Sequence, residues 1–91
     1  MIAKHLIISG TVQGVGYRDW LIGTAKKIGL AGWVRNRRDG TVEAILAGDA
    51  DAVEEVIQAC HRGPRMAVVT GITETFCDAP AGRAFVKKPS I

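Results

Sequence analysis

The chain passes from an apolar, β-prone run into a helical one through Gly10-Thr11-Val12-Gln13-Gly14-Val15-Gly16-Tyr17-Arg18. Glycines at 14 and 16 leave the backbone free to take positive φ and to curl, so that successive N–H groups point into one concavity that attracts anions. The segment beyond the turn reads as a helix, whose unpaired N-terminal N–H groups and positive dipole end converge on the same spot. Arg18 falls in that first turn, where a cation by itself opposes the dipole. A planar, permanently charged guanidinium there suits a phosphate group held between the two. The expected chemistry is therefore phosphate binding. Taken alone, the same residues also describe an ordinary strand-to-helix turn followed by a solvated arginine, so the rest of the chain must decide.

The flanking segments have the periodicity needed to hold such a turn. From Lys4 to Gln13, Leu6, Ile8, Gly10 and Val12 alternate with His5, Ser9 and Thr11, the period of two of a half-buried strand, with Ile7 out of step. After the glycines, Trp20, Leu21, Thr24, Ala25 and Ile28 share one helical face, Lys26 and Lys27 close the last turn, and Gly29 supplies the residue beyond the cap. Gly32 to Arg37 reads as a strand, Arg38-Asp39-Gly40 as a tight turn, and Thr41 to Ala47 as the hairpin partner, with Val42, Ala44 and Leu46 toward the core. A second helix follows Gly48. Asp49 and Asp51 suit its positive end, Asp51 and Glu54 are spaced as a capping box, and Val53, Val56, Ile57 and Cys60 form its apolar stripe. His61 and Arg62 fall in its last turn and Gly63-Pro64 stops it. Met66 to Phe76 predicts a last long strand with a bulge at Gly71, and Arg83 to Lys87 a short extra edge strand. The order βαββαβ predicts an α+β, ferredoxin-like sandwich. Both helices should lie on one face of a four-stranded antiparallel sheet whose first and third strands are central, with a short fifth strand at an edge.

At 91 residues, with 47% hydrophobic and 23% charged, the chain is expected to be a single globular domain spanning 1–91. A net charge of +3 favours anionic ligands in general but falls short of a nucleic-acid-binding signature. The apolar run at the N-terminus is too short for a signal peptide or membrane span, which points to a cytoplasmic protein. Cys60 and Cys77 lack CxxC spacing and read as buried free thiols. No His/Cys/carboxylate cluster has metal-ligand spacing, and Asp49, Asp51, Glu54 and Glu55 read as a helix entrance. Arg35, Arg37, Arg38, Lys26, Lys27, Lys87 and Lys88 read as a solvated basic rim, and Trp20 and Trp33 as packing residues, Trp33 with a second option at the mouth of the site.

Two segments resemble one family closely. Gly10 to Arg18, GTVQGVGYR, is similar to the glycine-loop motif of acylphosphatases, and Gly32 to Gly48, GWVRNRRDGTVEAILAG, to that family's second motif. With Gly63-Pro64 and Ala67-x-Val69, the likeness extends from Gly10 to about Val69 and more loosely over the whole chain. The resemblance implies a monomeric, metal-independent and cofactor-free hydrolase of acyl phosphates, with inorganic phosphate as product and inhibitor. It implies that Gln13, Gly14, Val15, Gly16, Tyr17 and Arg18 form the phosphate cradle, Arg18 binds substrate, and Asn36 places the attacking water. Val34 and Asn36 share one face of their strand, so if Val34 faces the helices Asn36 does too, on the side where the glycine loop enters the first helix. The chain departs from the pattern in having Tyr17 for the commoner Phe, Thr11 where a basic residue is more usual, and a different tail at Lys88-Pro89-Ser90-Ile91. Two other classes stay open at this point. RNA-recognition domains share the βαββαβ order, but stack bases on aromatics of the first and third strands, which Leu6 to Val12 and Thr41 to Ala47 lack. A domain that binds phosphate without turnover would need the same loop.

Overall fold

The computed structural model describes residues 1–91. Its elements run β1 (Ile2–Thr11), α1 (Tyr17–Ile28), β2 (Ala31–Asn36), β3 (Val42–Gly48), α2 (Ala50–Arg62), β4 (Val68–Phe76) and β5 (Phe85–Lys87). Period-two and period-3.6 patterns thus become strands and helices where expected, with ends displaced by one to two residues. The sheet order is β4-β1-β3-β2-β5. Pairing is antiparallel throughout except for β2 with β5, which run parallel. The sheet is therefore five-stranded and mixed, where the patterning predicted four antiparallel strands and a short edge addition. β5 can be parallel because it follows a long excursion from β4 and needs no hairpin.

Alternation decides which side chains enter the core. Leu6 and Ile8 of β1, Val34 of β2, and Val42, Ala44 and Leu46 of β3 are fully buried beneath Leu21 and Ala25 of α1 and Val53, Val56 and Ile57 of α2. Each fully buried Leu, Ile or Val contributes roughly 1.5–3 kcal/mol, which makes this face the main source of stability. Phe85 clamps β5 into the same cluster at 2% exposure.

The opposite face of the sheet carries polar partners instead. Glu43, at 7% exposure, accepts from Arg35 Nε at 2.7 Å and pairs with His5 Nε2 at 2.6 Å. Trp33 lies on this face as well, under the Arg35 guanidinium at 4.8 Å and the Lys88 ammonium at 4.6 Å from its ring centre. Trp33 consequently packs and does not reach the mouth of the glycine-loop site.

Two local expectations need correction. Asp51 and Glu54 make no capping box: α2 starts at Ala50 after Asp49, no side chain caps it, and Glu54 accepts instead from Gln58 one turn on. The helix begins two residues too early for Asp51 to occupy the cap position. The irregularity in β4 falls beside Gly71: Ser9 pairs with Gly71 and Gly10 with Val69, leaving Thr70 as the extra residue.

Candidate active site

The loop between β1 and α1 turns on Gly14 and Gly16, with φ of 75° and 80°. A Cβ at either position would meet no atom within 4 Å, so the positive φ, not crowding, is what calls for glycine. Gly16 is the N-cap of α1 and no side chain caps the helix, which leaves its first N–H groups unpaired toward the loop. Gln13 secures the loop from outside. Its Nε2 donates to the carbonyls of Arg37 and Thr41 at 2.7 and 2.9 Å, tying the loop to the β2–β3 turn. That turn is closed by Asp39, which accepts from the Thr41 N–H and hydroxyl.

Tyr17 follows at the start of α1 and is 1% exposed. Its hydroxyl donates to the Cys60 carbonyl at 2.6 Å, one of the last-turn carbonyls of α2 that lacks an intrahelical partner. Burial holds the phenol far above its ordinary range, so it remains a neutral donor. The ring packs edge-on to Trp20, with centroids 5.3 Å apart. Gly63 sits against the same ring, where a Cβ would come within 2.7 Å of Tyr17 Cε2. Tyr17 therefore sets the entry angle of α1, while its polar end points away from the loop. Burial likewise pushes the Cys60 thiol up to about 12, against a weaker pull from Tyr17, and Cys60 and Cys77 are both free.

Gly14, Gly16, Tyr17, Arg18 and Asn36 meet around one hollow of about 70 Å³, with Val12 beneath and Asp19 and Lys87 at its side. A single water needs about 10–15 Å³ of such space, so the hollow admits a small tetrahedral anion with a water beside it. Arg18 is half-buried and takes part in none of the protein's ion pairs. Asn36 ends β2 on the same side as the fully buried Val34, as the alternation requires. Its amide oxygen is buried and has no hydrogen-bond partner in the protein. An orphaned buried acceptor costs about 1–3 kcal/mol, a cost that a fold retains where a ligand or water is to be held. The Asn36 carbonyl, by contrast, is satisfied by the Ile91 N–H at 3.1 Å, and that of Val34 by the Lys88 N–H at 2.9 Å, so the tail continues the β5 edge beside the site.

Gln13 and Val15 do not line the hollow: Gln13 braces the loop and Val15 packs on the core. A wider hollow of about 550 Å³ lies between Arg37, Arg38, Asp39, Ser90 and Ile91, but it contains neither the glycines nor Asn36. Lys87 and Asp19 are the lining residues that the motifs alone do not mark. Lys87 is recoverable from the alternation with Phe85 once β5 is known to lie beside β2.

The family sequence model described as Acylphosphatase matches residues 4–86. This chain belongs to the acylphosphatase family. Among curated relatives of the family, the acylphosphatase of Acidiphilium cryptum is 64% identical over 88 residues, 97% of each chain. Among solved structures, the acylphosphatase from Bacillus subtilis superposes with a TM-score of 0.88 at 36% identity, over 96% of this chain and 97% of that one. The acylphosphatase from Coxiella burnetii gives 0.91 at 28% identity, over 96% and 92%. No group of three or more His, Cys, Asp or Glu side chains is placed to hold a metal ion, and no helix is long and apolar enough to cross a membrane.

Proposed function

We propose that this chain hydrolyses acyl phosphates to a carboxylate and inorganic phosphate, with the phosphoryl group seated in the 13–18 loop against Arg18 and the attacking water held by Asn36. The observation that carries this reading is the unpartnered Asn36 amide oxygen buried beside an uncapped helix N-terminus and an unpaired arginine. An amide cannot serve as a base at neutral pH, but its oxygen can accept from a water and hold it in line with the phosphorus. The water oxygen forms the new P–O bond, the bond to the acyl oxygen breaks, and the carboxylate leaves with that electron pair. The water proton passes to a phosphoryl oxygen.

A carboxylate is a good leaving group, so orientation and charge stabilisation suffice and no strong nucleophile is needed. Each preorganised donor aimed at the transferring group contributes on the order of 3 kcal/mol, and several N–H groups with Arg18 supply this without a metal. The protein acts as a monomeric, single-domain cytoplasmic enzyme, and its product phosphate competes with substrate for the same seat. The test is incubation with benzoyl phosphate in the presence of a chelator. Release of phosphate, inhibited by added inorganic phosphate, is expected; a folded protein that binds phosphate and gives no turnover would sink the enzymatic reading in favour of a phosphate-sensing domain.

A further inference from the structure

Lys87 reaches the hollow from an element outside both sequence motifs. Phe85 is buried in the core from β5, so Lys87, two residues on, emerges on the same face. It pairs with Val34 in the parallel register, which sets it diagonal to Asn36, two residues further along β2 on the same face, at the side of the hollow. Its ammonium lies 2.6 Å from Asp19 Oδ1, and Asp19 lines the same hollow from the first turn of α1. The pair is solvent-facing, with side chains 41% and 77% exposed. Exposed pairs of this kind are weak and exchange readily for a better anion.

From this placement we infer that Lys87 is a second cationic ligand of the phosphoryl group, and that Asp19 masks it in the free protein as a built-in competitor. The inference rests on the reading of the hollow as a phosphoryl site. The hollow admits a small tetrahedral anion, and Lys87 lines it together with Arg18 and Asn36. A phosphoryl group brings two negative charges to a lysine that Asp19 satisfies with one. Asp19 also sits beside the helix N-terminus, and the Lys87 hydrogen bond holds its carboxyl below the ordinary range, so it stays charged as a competitor at neutral pH. On binding, the Lys87–Asp19 contact opens and Lys87 turns to the anion; release restores it. Arg18 then orients the substrate with its planar fork, while Lys87 adds a mobile point charge.

The experiment measures binding of inorganic phosphate by calorimetry and steady-state kinetics with benzoyl phosphate for five proteins: parent, Lys87→Met, Lys87→Arg, Asp19→Asn and the Lys87→Met, Asp19→Asn double variant. Lys87→Met is expected to weaken phosphate binding and raise KM by about five- to tenfold with kcat within about twofold, and Lys87→Arg to recover most of the loss. Asp19→Asn should tighten phosphate by about two- to fivefold in the parent and have no effect in the Lys87→Met background. Unchanged phosphate affinity in Lys87→Met overturns the inference. So does an Asp19→Asn effect of equal size in both backgrounds, because Asp19 would then act through the general field of the helix end. Calorimetry keeps the two proposals apart: a parent that binds phosphate through Lys87 but does not turn over benzoyl phosphate supports this inference while refuting the enzymatic one. A parent that binds no phosphate refutes both.

Discussion

Arg18 and Asn36 meet at one hollow, and the proposed mechanism gives them separable duties that kinetics can divide. In that mechanism Arg18 holds the phosphoryl charge in both the bound substrate and the transition state, so Arg18→Ala should lower kcat/KM by about 10²–10³ and weaken phosphate binding in parallel. Efficiency within a few-fold of the parent would contradict its role. In the same mechanism Asn36 acts on the water, so Asn36→Ala should lower kcat by about 10²–10³ and leave phosphate affinity within about threefold. A variant that no longer binds phosphate would make Asn36 a ligand of the anion instead. Tyr17 belongs to a different category. Its hydroxyl serves the α2 carbonyl of Cys60 and not the anion, so Tyr17→Phe should cost about 1 kcal/mol in urea denaturation, with activity within about twofold. The exchange of the family's commoner Phe for Tyr is thereby accounted for by a helix end that would otherwise keep an unpaired carbonyl.

At the scale of elements, β1, α1, β2, β3 and α2 were legible because each carries its own period and punctuation. Leu6 and Ile8 alternate against His5, and Gly29 and Gly63 end the two helices, in sequence as in structure. Asn36 was placed on the correct face by its spacing from Val34 alone. What the sequence did not disclose depends on segments far apart in the chain. The parallel pairing of β5 with β2, the Tyr17–Cys60 bond and the approach of Lys87 to Asp19 each span more than forty residues, and no local pattern encodes which edge a three-residue strand will choose. The failed capping box is the converse case, a correct spacing overridden by where the helix begins. β5 is held chiefly by Phe85, whose ring is buried in the core. Phe85→Ala should therefore cost about 3–5 kcal/mol in denaturation and detach Lys87 from the site, a large share of the stability of a domain this small. A loss under 1 kcal/mol would show that the backbone bonds of β5 and the tail hold the edge without it.

Across the whole molecule, one carboxylate joins the three interior strands on the face away from the helices. Glu43 on β3 meets His5 on β1 and Arg35 on β2, with Arg37 at 4.0 Å, so the sheet is laced on this side by charge where the other side is packed by apolar contact. Burial raises the Glu43 carboxyl, but hydrogen bonds from His5 and Arg35 together with their charge outweigh it and hold the group below its ordinary value of 4.5. The unfolded chain then binds the proton more readily than the folded one. Glu43 accordingly adds stability that is present in full above the ordinary value and is lost as pH falls from there through the lowered one. Asp19 and Asp39 are also held low, by Lys87 and by Thr41 respectively, but both are exposed and their share is screened by salt. In 0.15 M salt, on the order of physiological strength, the parent should lose stability steeply below about pH 5. Glu43→Gln should cost about 1–3 kcal/mol at pH 7 and flatten that acid limb, so that the difference between the two proteins shrinks as pH falls. Urea titrations at pH 7, 5, 4 and 3 read both effects. Parallel curves, with the variant displaced by a constant amount at every pH, would place the acid sensitivity elsewhere and reduce the Glu43 cluster to neutral hydrogen bonding.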